Sequence, residues 1–165
     1  MQFPKTILLL LLPLLAGALL AGQTQAQGQI QLRNVIEMEV ESVNGAGQKE
    51  TYRIPVETAE PGTRLIYSIH YKNAGSEQAV NAVITTPLPA KVIYQEGSAQ
   101  GAGTSITFSI DGGRTYHPPA QLLIKDASGR QFPAQPSDYS HIRWKFETPL
   151  APGATGTVSY RAILK

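Results

Sequence analysis

The chain contains no cysteine. Thiol catalysis, thiolate zinc sites, iron–sulfur clusters and a disulfide-stapled scaffold are therefore excluded. Charge is also sparse: only 16% of the 165 residues are Asp, Glu, Lys or Arg, and 14 basic residues stand against 12 acidic ones. No basic excess marks a nucleic-acid footprint. After residue 26, no window sustains a 3.6-residue apolar period, so little helix is expected. What the chain has in quantity is glycine and proline, 15 and 12 residues, the punctuation of short strands.

The one long apolar run is at the N-terminus. Lys5 is the only charged residue before Arg33, and Ile7 to Leu20 is apolar apart from Pro13 and Gly17. This is the pattern of a secretory signal peptide, with Thr24 and Ala26 supplying the small residues before a cleavage point after Ala26. The rival reading, an uncleaved anchor, lacks the charge cluster of a stop-transfer sequence. Residues 1–26 are thus expected to leave on export to the periplasm or cell exterior, with no membrane span remaining. The mature chain, 27–165, would form one domain. It would comprise an N-terminal strand segment, 27–55, and a core, 56–165, and be large enough to bury roughly two-thirds of its unfolded surface.

The mature chain reads as strands and turns. Ile36, Met38 and Val40 alternate with Glu37, Glu39 and Glu41 within a strand spanning Ile30 to Val43. Asn44-Gly45-Ala46-Gly47 turns the chain, Tyr52, Ile54 and Val56 resume the alternation, and Glu60-Pro61-Gly62 stops it. Leu65, Tyr67, Ile69 and Tyr71 share one strand face, and Ile142, Trp144 and Phe146 share another. Further strands are expected at Val80–Thr86, Val92–Gln95, Thr104–Ile110, Arg114–Tyr116 and Leu122–Ile124, with Pro133–Asp138 as a loop and Val158–Leu164 closing the chain. Short strands separated by turn signals at about 8 to 12 residues predict an all-β sandwich of about seven to nine strands.

The order Glu60-Pro61-Gly62-Thr63, Leu65-Tyr67-Ile69-Tyr71, Asn73-Ala74-Gly75, Pro87-Leu88-Pro89 and Gly97-Ser98 resembles the conserved repeat domain (domain of unknown function 11) of bacterial and archaeal surface proteins. Leu150-Ala151-Pro152-Gly153 and Gly156-Thr157-Val158-Ser159-Tyr160 resemble its closing strands, so the resemblance covers about Val56 to Lys165. It implies an immunoglobulin-like sandwich and a place in the cell envelope. Two features depart from it: the chain carries one copy, and Thr86 stands where the family often has Asp. The resembling residues are turn and core positions, so they imply a fold and say almost nothing about chemistry.

Candidate sites are few. Ser109-Ile110-Asp111-Gly112-Gly113-Arg114-Thr115-Tyr116 resembles the Asp-box hairpin of sialidase-type propellers, where Asp and Thr brace a turn. A propeller needs one copy per blade, so Asp111, Gly112, Gly113 and Thr115 read as a structural turn. Glu37, Glu39 and Glu41 form a row with about 7 Å spacing; a straight row does not converge on a point as calcium ligands must, so it reads as a solvated ridge, with a partner-binding or cation-binding face as the alternative. His70, His117 and His141 have no metal-ligand spacing, and no serine lies in a nucleophile elbow. No cofactor site or catalytic residue is indicated, and the chain is not expected to be an enzyme. Tyr67, Tyr71, Trp144 and Tyr160 fall on apolar strand phases, which leaves Tyr116 and Tyr139, beside prolines, as the aromatics expected on exposed loops.

Two functions follow as expectations. One is an exported, non-catalytic structural or interaction module whose partner is an envelope protein, or a second copy reached through the N-terminal strand. The other is a carbohydrate-binding or adhesin-like module that holds a glycan on the loops around Tyr116 and Tyr139.

Overall fold

A computed structural model describes residues 29–165, so the leader and Ala26 lie outside the described residues. The fold is all-β and antiparallel. Its strands are β1 (Ile30–Val43), β2 (Lys49–Pro55), β3 (Arg64–Asn73), β4 (Val83–Pro87), β5 (Val92–Tyr94), β6 (Gln100–Gly101), β7 (Thr104–Ser109), β8 (Leu123–Lys125), β9 (Gln131–Pro133), β10 (His141–Phe146) and β11 (Thr155–Leu164). That is eleven strands among the described residues rather than seven to nine. The surplus consists of β6 and β9, too short for alternation to reveal. The only helical elements described are single 3-10 turns at Pro119–Gln121 and Pro136–Asp138, and no described helix is long and apolar enough to cross a membrane.

The larger sheet runs β2-β1-β3-β11-β5, with β6 also paired to β11. A second sheet runs β4-β10-β7, and β8 and β9 form a separate hairpin. Pro133, expected in a loop, ends β9, because two side-by-side strands can pair through a residue whose missing donor faces away from the partner. Pro87 likewise sits at the end of β4, which starts at Val83 rather than Val80.

Register explains the core. Tyr67, Ile69 and Leu65 on β3 oppose Tyr160, Val158 and Ala162 on β11, so all six share a face. Ile142, Trp144 and Phe146 on β10 share a face of the second sheet with Ile84 and Phe108. These faces meet in one buried cluster. Tyr71 contacts Phe146 edge-on at 4.9 Å, and Trp144 lies 6.4 Å from Tyr160, so aromatic pairs join the two sheets. Tyr71 lies tight against Gly156, where a Cβ would run into its ring, so this strand position is open only to glycine unless the ring moves.

β1 lies inside its own sheet. β3 pairs with Ile30–Met38 on one side, and β2 pairs with Glu37–Val43 on the other. The N-terminal strand is therefore held in cis. At the other end of β3, Asn73 is fully buried and ties three segments together. Its side-chain amide donates to the carbonyls of Glu77 (2.8 Å), Leu150 (2.9 Å) and Ala151 (3.2 Å), and its Oδ1 accepts the Gly75 N–H at 3.1 Å.

Removing that amide leaves several buried carbonyls without a donor. Asn73→Ala is expected to destabilise the fold by about 3 kcal/mol. Urea denaturation monitored by Trp144 fluorescence checks this: the midpoint should fall at unchanged slope. A loss under about 1 kcal/mol would show that the knot is not a main constraint.

Candidate functional site

The Asp111 turn is braced from within. One carboxylate oxygen accepts the Arg114 and Thr115 N–H groups, both at 3.0 Å, and the Ser109 hydroxyl at 2.7 Å. The other accepts the Thr115 hydroxyl at 2.7 Å. These bonds, led by the Thr115 N–H and followed by the Ser109 hydroxyl, hold the Asp111 carboxyl well below the usual carboxylate range. Gly112 and Gly113 supply the positive φ values, 76° and 87°, that the turn needs. Arg114–Tyr116 was expected to form the second arm of a hairpin, but it is not a strand. Only one bridge, Phe108 to His117, closes behind the turn, because the carboxylate takes the N–H groups a ladder would have used.

The hydroxyls around this turn are committed within it, to backbone groups and to the Asp111 carboxylate. Ser140 donates to the Ser109 carbonyl at 3.0 Å and accepts the Gly112 N–H at 3.1 Å, with His141 Nδ1 3.2 Å away. Ser109 is fully buried and donates to Asp111. A serine and a histidine lie side by side here, yet the serine oxygens hold the turn together.

The aromatic pair expected to form a loop surface is split. Tyr139 is not exposed: it is 7% accessible, 4.8 Å from Phe108 and 5.9 Å from Tyr94 between ring centroids. Burial, with the nearby Glu96 secondary, pushes its hydroxyl pKa up. Pro136 opens the 3-10 turn Pro136–Asp138, and Tyr139 follows at its C-terminal end. Tyr116 is half-buried, and the Arg143 guanidinium covers one face of its ring at 3.4 Å from the centroid. The expectation that Tyr139 lies exposed on a loop beside Tyr116 is therefore corrected: its ring belongs to the core.

The acidic row is also only partly a ridge. Glu37 and Glu39 are half-buried and Glu41 is exposed. Glu39 accepts from Arg161 Nε at 3.1 Å, bridging β1 to β11 across β3, and Glu41 lies 3.9 Å from Lys49. Among the described residues, no three His, Asp or Glu side chains gather as a metal site.

The surface that alternation alone did not reveal lies on the opposite face of the same strands. Register puts Ile36, Met38 and Val40 of β1 on one face with Ile54 and Tyr52 of β2 and Tyr67 of β3. This is the core face, but the three-stranded sheet does not extend over its outer part. Leu32 (53%), Ile36 (45%), Tyr52 (46%) and Ile54 (37%) stay exposed there. Where cover begins, a groove of about 230 Å³ runs between Ile36, Tyr67 and Tyr160 on one sheet and Thr86 and Pro87 on the other, with Pro89 just past it. Beyond Met38, no third strand pairs with the β1–β2 ribbon among the described residues, and its tip is fixed by Asn44 Nδ2 donating to Glu50 at 2.8 Å and by the Tyr52–Glu50 hydrogen bond. Compared with known proteins, the chain matches no family model, no curated protein and no solved structure.

The Asp111 turn gives a pH test. Because the folded pKa is depressed, the stabilisation is complete above the ordinary value of 3.8 and is lost as the pH falls below it through the folded pKa. Asp111→Ala should lower Tm at pH 7, and the gap to the parent protein should narrow between pH 4 and 2 in a calorimetric series. A gap that is constant with pH would assign the effect to something other than this carboxylate.

Proposed function

We propose that the protein is an exported, non-catalytic interaction module of the cell envelope: an immunoglobulin-like sandwich, similar to a single conserved repeat domain, that associates through the β1–β2 side of its larger sheet. The observation that carries this reading is the apolar face of Ile36, Tyr52 and Ile54 beside β2, a free strand edge among the described residues, with Leu32 farther along the same face beyond Asn34. One exposed leucine is ordinary, whereas a contiguous apolar group beside an unpaired strand marks an association surface. Each of these half-exposed side chains would gain roughly 1 kcal/mol on being covered, about half the full-burial value.

The occupant we assign is a second copy of the chain, pairing β2 to β2 about a two-fold axis. Antiparallel pairing centred on Tyr52 sets Thr51 against Arg53, Glu50 against Ile54 and Lys49 against Pro55, so no like charges are opposed. The same register keeps Tyr52 and Ile54 of both copies on one face. Because β1 is held in cis, the edge offered is β2 rather than a donated first strand. The non-catalytic part of the reading is supported by Ser109 and Ser140, whose hydroxyls are taken by the turn they brace.

Size-exclusion chromatography with light scattering on residues 27–165, over a hundredfold concentration range, tests the association. Mass should rise from monomer toward dimer. Tyr52→Lys, which sets two lysines against each other on the axis, should raise the dimer dissociation constant at least tenfold, and Tyr52→Phe should not. A monomer at every concentration would overturn the second-copy reading, and hydrolase activity above background would overturn the non-catalytic one.

A further inference from the structure

The outer face of the larger sheet carries a second surface, of opposite character and independent of the association edge. Cross-strand register places Arg33, His70 and Thr157 in one row over β1, β3 and β11, and Lys72 and Thr155 in the next. Gln31, opposite Lys72, completes that second row on β1. The two rows wall a cleft of about 440 Å³ whose floor is the backbone of Leu32, Tyr71 and Gly156. That volume is in the range of small-ligand sites.

The charge in this cleft is of one sign. Arg33 sits directly opposite His70, and Lys72, two residues along the same face, is diagonal to Arg33, so the two formal charges on this face are both positive. No Asp or Glu lines the cleft, and among the described residues neither Arg33 nor Lys72 has a carboxylate within 4.0 Å. The cluster is therefore segregated, in a chain whose whole formal charge is only +2. His70 is oriented by its Nδ1 contact with the Thr157 hydroxyl at 2.9 Å, which leaves Nε2 as its uncommitted ring nitrogen. Three basic groups stand beside Gln31, Thr155 and Thr157, which are neutral donors and acceptors. That set suits a ligand bearing both hydroxyls and fixed negative charge.

We infer that this cleft binds an acidic polysaccharide, with Arg33 and Lys72 pairing its carboxylate or sulfate groups and His70, Gln31 and the threonines hydrogen-bonding its hydroxyls. A lone inorganic anion is a poorer match, because the walls are open and present side chains instead of a converging nest of backbone N–H groups. An extended chain lying across three strands uses the whole cleft. Because the interaction is exposed, added salt weakens it.

The test is calorimetric or electrophoretic binding of residues 27–165 to polygalacturonate and to heparin, with dextran as the neutral counterpart and inorganic phosphate as competitor. At low salt, at least one acidic polymer should bind at least tenfold more tightly than dextran. Arg33→Ala/Lys72→Ala should lose at least tenfold, with its Trp144 near-ultraviolet signature intact. The charge-preserving exchange Arg33→Lys/Lys72→Arg should keep most of the binding, and Lys91→Ala/Lys125→Ala, equal in charge change and remote from the cleft, should bind as the parent does. Unchanged binding by the Arg33/Lys72 double alanine variant, equal loss in the remote pair, or equal affinity for dextran would each overturn the site. Displacement by phosphate at matched anion concentration would overturn the polymer and leave a simple ion site. A failure of β2-mediated dimerisation would touch none of these results.

Discussion

The constraint that organises this molecule is a difference in width. A six-stranded sheet packs against one of three strands, so part of its inner face has no opposing layer. Where β3 and β11 are covered, Leu65, Ile69, Val158, Tyr160 and Ala162 are buried against Ile84, Ile142 and Trp144. Where β1 and β2 extend past the cover, residues of the same chemical type on the same face stay in contact with solvent. Tyr67 marks the boundary: it stacks on Tyr160 at 4.7 Å with the planes nearly parallel, one side toward the core and the other toward the groove at Ile36. The edges follow from the same arithmetic. β2 is the free edge on the uncovered side, and Pro87 and Pro89 blunt the neighbouring end of the smaller sheet by removing donors a new strand would need.

Much of the strand plan was legible locally. The alternation of Leu65-Tyr67-Ile69-Tyr71 and of Ile142-Trp144-Phe146 needs only period-2 burial to be read, and the Asp111 turn only the geometry of a short acidic side chain beside two glycines. What was not legible depended on partners distant in sequence. Tyr139 lies in a proline-rich stretch that reads as surface, yet Phe108 and Tyr94, 31 and 45 positions earlier, close over its ring. Glu39 reads as one of three equivalent acids until Arg161, 122 positions away, reaches it across β3. The uncovered face is the same problem inverted: alternation marks Leu32 and Ile36 as one side of a strand and carries no information about whether another layer lies above.

The outer face shows how a nearly neutral chain still produces local fields. Near the Met38 end of β1, acids and bases are interleaved, with Glu39 on Arg161 and Glu41 toward Lys49. Half-buried Glu37 and Glu39 flank Ile66, which is buried on this face outside the main cluster, so the ion pair also shields an apolar side chain. At the Ile30 end of the same three strands, the charged side chains on this face among the described residues, Arg33 and Lys72, are both basic. Net charge, being a sum, hides that division, and it appears only once register sets Arg33 beside His70 and Lys72.

β1 carries both surfaces by alternation. Leu32 and Ile36 face one way and Arg33 the other, with a backbone fixed on the β3 side along its first nine residues. Side chains on opposite faces of one strand share no partners, so substitutions at Tyr52 and at Arg33 should act additively. The neighbouring strand β3 is held at its C-terminal end by the Asn73 amide, whose bonds to the Leu150 and Ala151 carbonyls before β11 fix the position of β3 and so the spacing of Arg33, His70 and Thr157. Loosening that knot therefore disturbs the charged cleft before it disturbs the β2 edge, because the cleft spans the β3–β11 pair and the edge depends only on the β1–β2 ribbon. The two surfaces are separate in chemistry and unequal in what supports them, and that inequality follows from where the sheet is tied down.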